Sequence, residues 1–154
     1  MSISNTFFRF VFAFSFFFIS FALIAEPTLE EVVVSARKVD ESVQDVPIAM
    51  SVFTSSDISD AGIERPEDFI ALTPNVVMAN TVNVGDTLVT IRGLTSTRDA
   101  ESNFAFVVDG VLQTNPNAFN RELLDIAQIE VLKGPQGALY GRNATSGAIL
   151  ITTK

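Results

Sequence analysis

Apolar residues follow two patterns along this chain. From Phe10 to Ala25 they run for 16 positions without a charge (FVFAFSFFFISFALIA); after Glu26 they come in short groups separated by charged, Gly- and Pro-containing breaks. The first pattern is preceded by Met1 to Arg9 with a single positive charge and ends in small residues, which predicts a secretory signal peptide. A bilayer span wants ~20 apolar residues with basic stop-transfer residues behind them, and here the run is shorter and the acidic Glu26 follows. Residues 1–25 are therefore read as the signal, with cleavage after Ala22 or Ala25.

In the second pattern, Val32-Val33-Val34 stands out as a run of β-branched residues, which prefers extended backbone. Residues 37–46 (RKVDESVQDV) are charged and show no apolar period, and predict a polar tether of at most ~33–36 Å if fully extended. The globular part, residues 47–154, opens with a strand at 48–53. Ser55-Ser56-Asp57 supplies N-cap candidates for a short helix stopping at Gly62. Pro66, with Glu67 and Asp68 in its first turn and Phe69, Ile70 and Leu72 on one side, predicts a second helix ending at Thr73-Pro74. Strands are expected at 76–79, 88–92 and 104–108, and Asp109-Gly110 before Val111-Leu112 predicts a two-residue hairpin. Asn120 is placed to cap one turn through Leu123-Leu124. A strand at 126–132, a stop at Gly134-Pro135-Gln136-Gly137, one turn at Leu139-Tyr140-Gly141 and a last strand at 148–153 complete the chain. The class is α+β, a small mixed sheet with short helices packed beside it.

Composition then closes off chemistry. The 154 residues carry 10 Lys+Arg against 18 Asp+Glu, net −8, with no Cys and no His. Disulfides, thiolate metal sites, a nucleophilic thiol and the commonest metal ligand and general base are absent. The positive residues are scattered, so no basic face is available for nucleic acid. The Gly-rich stretch 134–143 matches neither phosphate-loop pattern, Asn143-Ala144-Thr145 is discarded as a chance sequon, and the serines have no His to activate them. No catalytic residue, metal ligand or cofactor is nominated, which disfavours an exported hydrolase.

What remains is the valine run behind the signal, and there the sequence resembles a known family. Glu30-Glu31-Val32-Val33-Val34-Ser35-Ala36 resembles the TonB box of TonB-dependent outer-membrane receptors. The likeness continues through Asp45-Val46-Pro47-Ile48-Ala49, Ile91-Arg92-Gly93, Val107-Val108-Asp109-Gly110-Val111, Ile129-Glu130-Val131-Leu132-Lys133-Gly134-Pro135-Gln136-Gly137 and Leu139-Tyr140-Gly141-Arg142-Asn143, with Gly147-Ala148-Ile149-Leu150-Ile151-Thr152 behind. Five motifs in the family's order identify residues 47–154 as a plug domain, with 26–46 as box and tether.

The resemblance implies a plug built on a mixed, roughly four-stranded sheet inside an outer-membrane β-barrel. It implies gated uptake of a scarce small molecule, such as a metal chelate (siderophore iron), a cobalamin or an oligosaccharide glycan, energised through the TonB C-terminal domain. Residues 30–36 would bind TonB by adding as a strand to a sheet edge. The alternative for the valines is an ordinary first strand of the plug sheet. By the same resemblance Arg92 and Lys133 would meet acidic residues on the barrel wall, where a buried charge needs a partner; Lys133 stands where many relatives carry Arg, and lacks its bidentate geometry. Polar loops at 80–87, 95–103 and 113–118 would face the ligand, with Arg98, Asp99 and Glu101 as contacts. The alternating ~10-residue strands of a barrel are not in this sequence. Two expectations follow: the N-terminal part of a longer receptor at the cell outer membrane, or a free-standing periplasmic module that engages TonB without transport.

Overall fold

A computed structural model describes residues 31–35, 37–80, 87–96 and 101–154. The signal-peptide reading of residues 1–25 lies outside them, as do Glu30, Ala36, Arg98 and Asp99.

Among the described residues ten strands form three sheets, with three short α-helices beside them. In chain order they are β1 (Val33–Val34), β2 (Glu41–Ser42), β3 (Met50–Thr54), α1 (Ser55–Ala61), α2 (Pro66–Ala71), β4 (Val76–Asn80), β5 (Thr87–Ile91), β6 (Leu94–Thr95), β7 (Phe104–Val108), β8 (Val111–Gln113), β9 (Ile126–Lys133), α3 (Gly137–Tyr140) and β10 (Gly147–Thr153). The main sheet has the order β3-β9-β10-β7-β8, with β10 and β7 parallel and the other neighbours antiparallel. It is therefore mixed, as expected, but has five strands rather than about four. β4, β5 and β6 make a separate antiparallel sheet, and β1 and β2 a two-stranded one. Among the described residues no sheet closes into a barrel.

The central strands read FAFVV and GAILITT because both faces of the sheet are covered. Alternation divides their side chains. Phe104, Phe106, Ile129, Val131, Ile149 and Ile151 enter the larger core with Phe69 and Ile70 of α2 and with Val76, Val89 and Ile91 of the small sheet. Ala105, Val107, Leu132, Ala148 and Leu150 face the other way into a thinner layer. Phe119 sits at the aromatic centre of the larger core, its ring 5.1 Å from those of Phe104 and Phe106 and 6.3 Å from that of Phe69.

Local signals mostly act where they stand. Thr54 caps α1 one residue ahead of the expected serines: its Oγ1 accepts from the Asp57 N–H, and its own N–H donates to the Asp57 carboxylate at 2.8 Å. Hydrogen bonds from the Thr54 side chain and backbone hold the Asp57 pKa below its ordinary value. Pro66 opens α2, and Asp68 accepts from the N–H groups of Glu64 and Arg65. Asp109 and Gly110 form the two-residue hairpin with φ of 47° and 77°. The turn expected after Asn120 is displaced: a 3-10 turn spans Pro116–Ala118, capped by Asn115, whose side-chain oxygen accepts from the Asn117 N–H. Phe119 follows this turn directly, and its ring is buried.

Gly147 starts β10 where a Cβ would collide with the Leu132 carbonyl oxygen of β9 and press on Ile91. Gly147→Ala should therefore destabilise the domain by ~1–3 kcal/mol through overpacking, read as a lower urea midpoint with unchanged m-value.

Candidate functional site

Residues 37–46, expected as an unstructured tether, fold back and pair with the valine run. Val33 lies opposite Ser42 and Val34 opposite Glu41, and the Val43 N–H donates to the Val32 carbonyl at 3.0 Å. Lys38 turns the chain with φ of 61°, its N–H bonded to the Ser35 carbonyl, and Arg37 ion-pairs with Glu41 at 3.2 Å. Two-residue strands leave no periodicity to read, so this hairpin is invisible in the pattern. Val34 is buried (1% exposed) and Val33 half open (49%). The valines are thus neither loose nor part of the main sheet, where β3 and β8 hold the edges.

The hairpin is fastened to β9. In that strand Ile129 and Val131 face the larger core, so Gln128, Glu130 and Leu132 face the thinner side. The Gln128 side-chain amide donates to the Val33 carbonyl at 2.9 Å, and the Ser35 N–H donates to Glu130 Oε1 at 3.0 Å. Gln128 also donates to Glu130 Oε1 at 3.2 Å, which joins the two side chains into one unit. Glu130 is 2% exposed. A carboxylate so placed is tolerable only with donors around it, and three of them converge on Oε1: the Gln128 amide and the N–H and hydroxyl of Ser35.

Tyr140 stands nearby. A cavity of about 550 Å3 is lined by Ser35, Lys38 and Asp40 of the hairpin and by Leu112, Tyr140 and Leu150. The Lys38 ammonium lies 5.8 Å from the Tyr140 ring centre. Burial first, and the Glu130 charge second, push the phenol up to about 12 from 10.0. Because the folded pKa is the higher one, the stability that Tyr140 contributes should be intact below pH 10 and be lost as pH rises from there to about 12, and Tyr140→Phe should remove that part of the decline. Tyr140 is the single tyrosine of the chain, so ultraviolet titration of its phenolate checks the shift without interference.

Arg92 and Lys133, read separately from sequence, are brought together. Arg92 lies in the two-residue turn between β5 and β6 with φ of 51°, and its guanidinium reaches Gly134, where a Cβ would sit 3.1 Å away. Lys133 Nζ donates to Ser51 Oγ at 3.0 Å and to the Pro74 carbonyl at 3.4 Å. Burial, with Arg92 next, lowers the Lys133 pKa. Neither cation ion-pairs with a described carboxylate. Glu101 instead pairs with Arg142 at 2.7 Å, so within the proposed apical loop it is tied to the segment after α3.

Two polar anchors escaped the sequence reading. Asn103 ends the 95–103 loop as a hub: its side chain accepts from Ser96 Oγ and donates to the Leu94 carbonyl, and its carbonyl accepts from the N–H and hydroxyl groups of Thr145 and Ser146. Asp109, read only as a turn former, also clasps the end of β10, accepting from the Thr153 N–H at 2.8 Å and from the Thr153 hydroxyl at 2.9 Å. Only the Asp-Gly turn signal hinted at that position. No cluster of metal-ligating side chains occurs among the described residues.

The family model of the TonB-dependent receptor plug domain matches residues 42–148, from within β2 into β10. The chain belongs to that family. The pesticin receptor of Yersinia enterocolitica is 31% identical over 130 residues, which make up 84% of this chain and 19% of that protein. The iron-regulated outer membrane virulence protein of Vibrio cholerae is 31% identical over 148 residues, 88% of this chain and 22% of its own length. The crystal structure of the ferric yersiniabactin uptake receptor FyuA from Yersinia pestis superimposes with a TM-score of 0.64 at 30% identity, over 70% of this chain and 17% of that one. FpvAI, in its complex with pyocin S2, shares the fold with a TM-score of 0.66 at 19% identity. The plug spans about a fifth of the length of the curated relatives it matches. Family membership places it at the cell outer membrane, and the relatives it matches are receptors.

Proposed function

We propose that this plug gates energy-coupled uptake of a scarce nutrient through an outer-membrane β-barrel in cis, and that residues 30–36 are its TonB box. The observation that carries the reading is the position of β1. It lies outside the five-stranded sheet and, among the described residues, β2 is the one strand it pairs with, so a partner can reach it without dismantling the core. Strand addition needs such an edge, and the TonB C-terminal domain is the partner that would supply the second strand. Arg92 and Lys133, two adjacent cations without a described carboxylate, are suited to acidic residues of the barrel wall. The relatives named for iron regulation and ferric yersiniabactin uptake favour a metal chelate as the transported ligand over a cobalamin or glycan. Arg98, Asp99 and Glu101 belong to the loop that would face it.

Calorimetric titration of the exported chain with a purified TonB C-terminal domain tests the coupling half of this proposal. Saturable binding that a peptide of residues 30–36 competes away supports it; no binding overturns it, and leaves the family assignment standing.

A further inference from the structure

The antiparallel register sorts the backbone groups of the valine strand. Val43 bonds to the Val32 carbonyl, so residues 32 and 34 turn their peptide groups toward β2, and alternation turns those of Val33 and the N–H of Ser35 to the opposite edge. That edge is the one open to a further strand. In this plug it is already engaged, and by side chains: Gln128 supplies a donor to the Val33 carbonyl and Glu130 an acceptor to the Ser35 N–H. A neighbouring β-strand would offer one N–H and one carbonyl to the same two groups. We infer that Gln128 and Glu130 act as a surrogate strand that caps the Val33–Ser35 edge, and that an incoming extended partner must exchange with them group for group to bind.

The inference rests on reading residues 30–36 as the coupling segment, and it deepens that reading by naming the edge, the register and the competitor. Several features make the cap a built one. The two side chains are bonded to each other, the Glu130 carboxylate is buried, and both stand on β9, a strand inside the sheet. The cap therefore holds still while the segment above it exchanges. The charge of Glu130 makes the acceptor half the stronger one, so the Ser35 N–H is the bond that most delays release. Removing the segment takes from the Glu130 carboxylate the N–H and hydroxyl donors that Ser35 supplies, so opening is resisted by the loss of those bonds.

The test uses the full chain purified after export from a Gram-negative host. Hydrogen exchange at the Ser35 amide is compared between wild type, Gln128→Ala and Glu130→Gln, with the Ile151 and Val131 amides as internal references. Gln128 is partly exposed, so its truncation spares the core; Glu130→Gln keeps shape and an oxygen acceptor while removing the charge. Ser35 exchange is expected to rise about tenfold in Glu130→Gln with the reference amides unchanged, the size of a lost charge-assisted hydrogen bond. Affinity for the TonB C-terminal domain is expected to rise about severalfold to tenfold in both variants, because the competitor is weakened. Unchanged Ser35 exchange in a folded Glu130→Gln variant overturns the cap. Faster exchange with unaltered TonB affinity overturns the competition and leaves the coupling role intact. Faster exchange with no TonB binding by any form shows instead that the coupling reading has failed.

Discussion

Phe119→Ala should lower the unfolding free energy of this plug by ~3–5 kcal/mol, enough to leave a domain of this size at the margin of stability. The ring is buried against Phe104, Phe106 and Phe69, edge-on to each, so truncation forfeits both apolar burial and three aromatic contacts. It also removes the link between the connection after β8 and both the main sheet and α2. The cavity left would be lined by side chains of two separate elements, β7 and α2, that cannot both relax into it, which favours the upper part of that range. A urea melt followed by far-ultraviolet circular dichroism reads the effect, and Phe119→Leu should recover more than half of the loss. A change below 1 kcal/mol would show that Phe119 is a lid over the core and not its centre.

Val33→Pro should weaken binding of the TonB C-terminal domain at least about tenfold, while Val33→Ala stays within a few-fold of wild type. Proline removes the N–H that Val33 turns toward the open edge, and its ring crowds the space in which a partner strand would lie. The same substitution spares the pairing with β2, because in this register Val33 does not use its peptide groups there. The Val43 bond to the Val32 carbonyl should therefore persist in Val33→Pro, and nuclear magnetic resonance of the Val43 amide separates a lost docking edge from a melted hairpin. Equal affinity of the proline variant and wild type would rule out strand addition at this position.

The two experiments probe opposite faces of the sheet, and these faces were legible in the sequence to different degrees. The larger core was readable. The apolar run at 104–108 and the alternation at 126–132 announce strands, and Pro66 with Glu67 and Asp68 announces a helix start that the structure places there. Asp109-Gly110 gave the hairpin because both residues sit at positive φ. The matching two-residue turn at Arg92-Gly93 has no such signal, since Arg is an unusual residue at φ of 51° and is not a turn former. The thinner face was hardly readable at all. The hairpin that covers it has strands of two residues, and Glu130 looked like one more polar position of a β-strand.

The sequence by itself determined the family, the class and most strand positions, because these depend on local backbone preferences and on motifs written in consecutive residues. Tertiary structure alone decided that Arg37 to Val46 folds back, that Phe119 becomes the aromatic centre, that Arg92 and Lys133 become neighbours, and that Gln128 and Glu130 hold a segment 95 positions away. Periodicity reports which way a side chain points within its own strand. What it meets there depends on how distant strands are stacked, and on where a buried carboxylate can find the donors it needs.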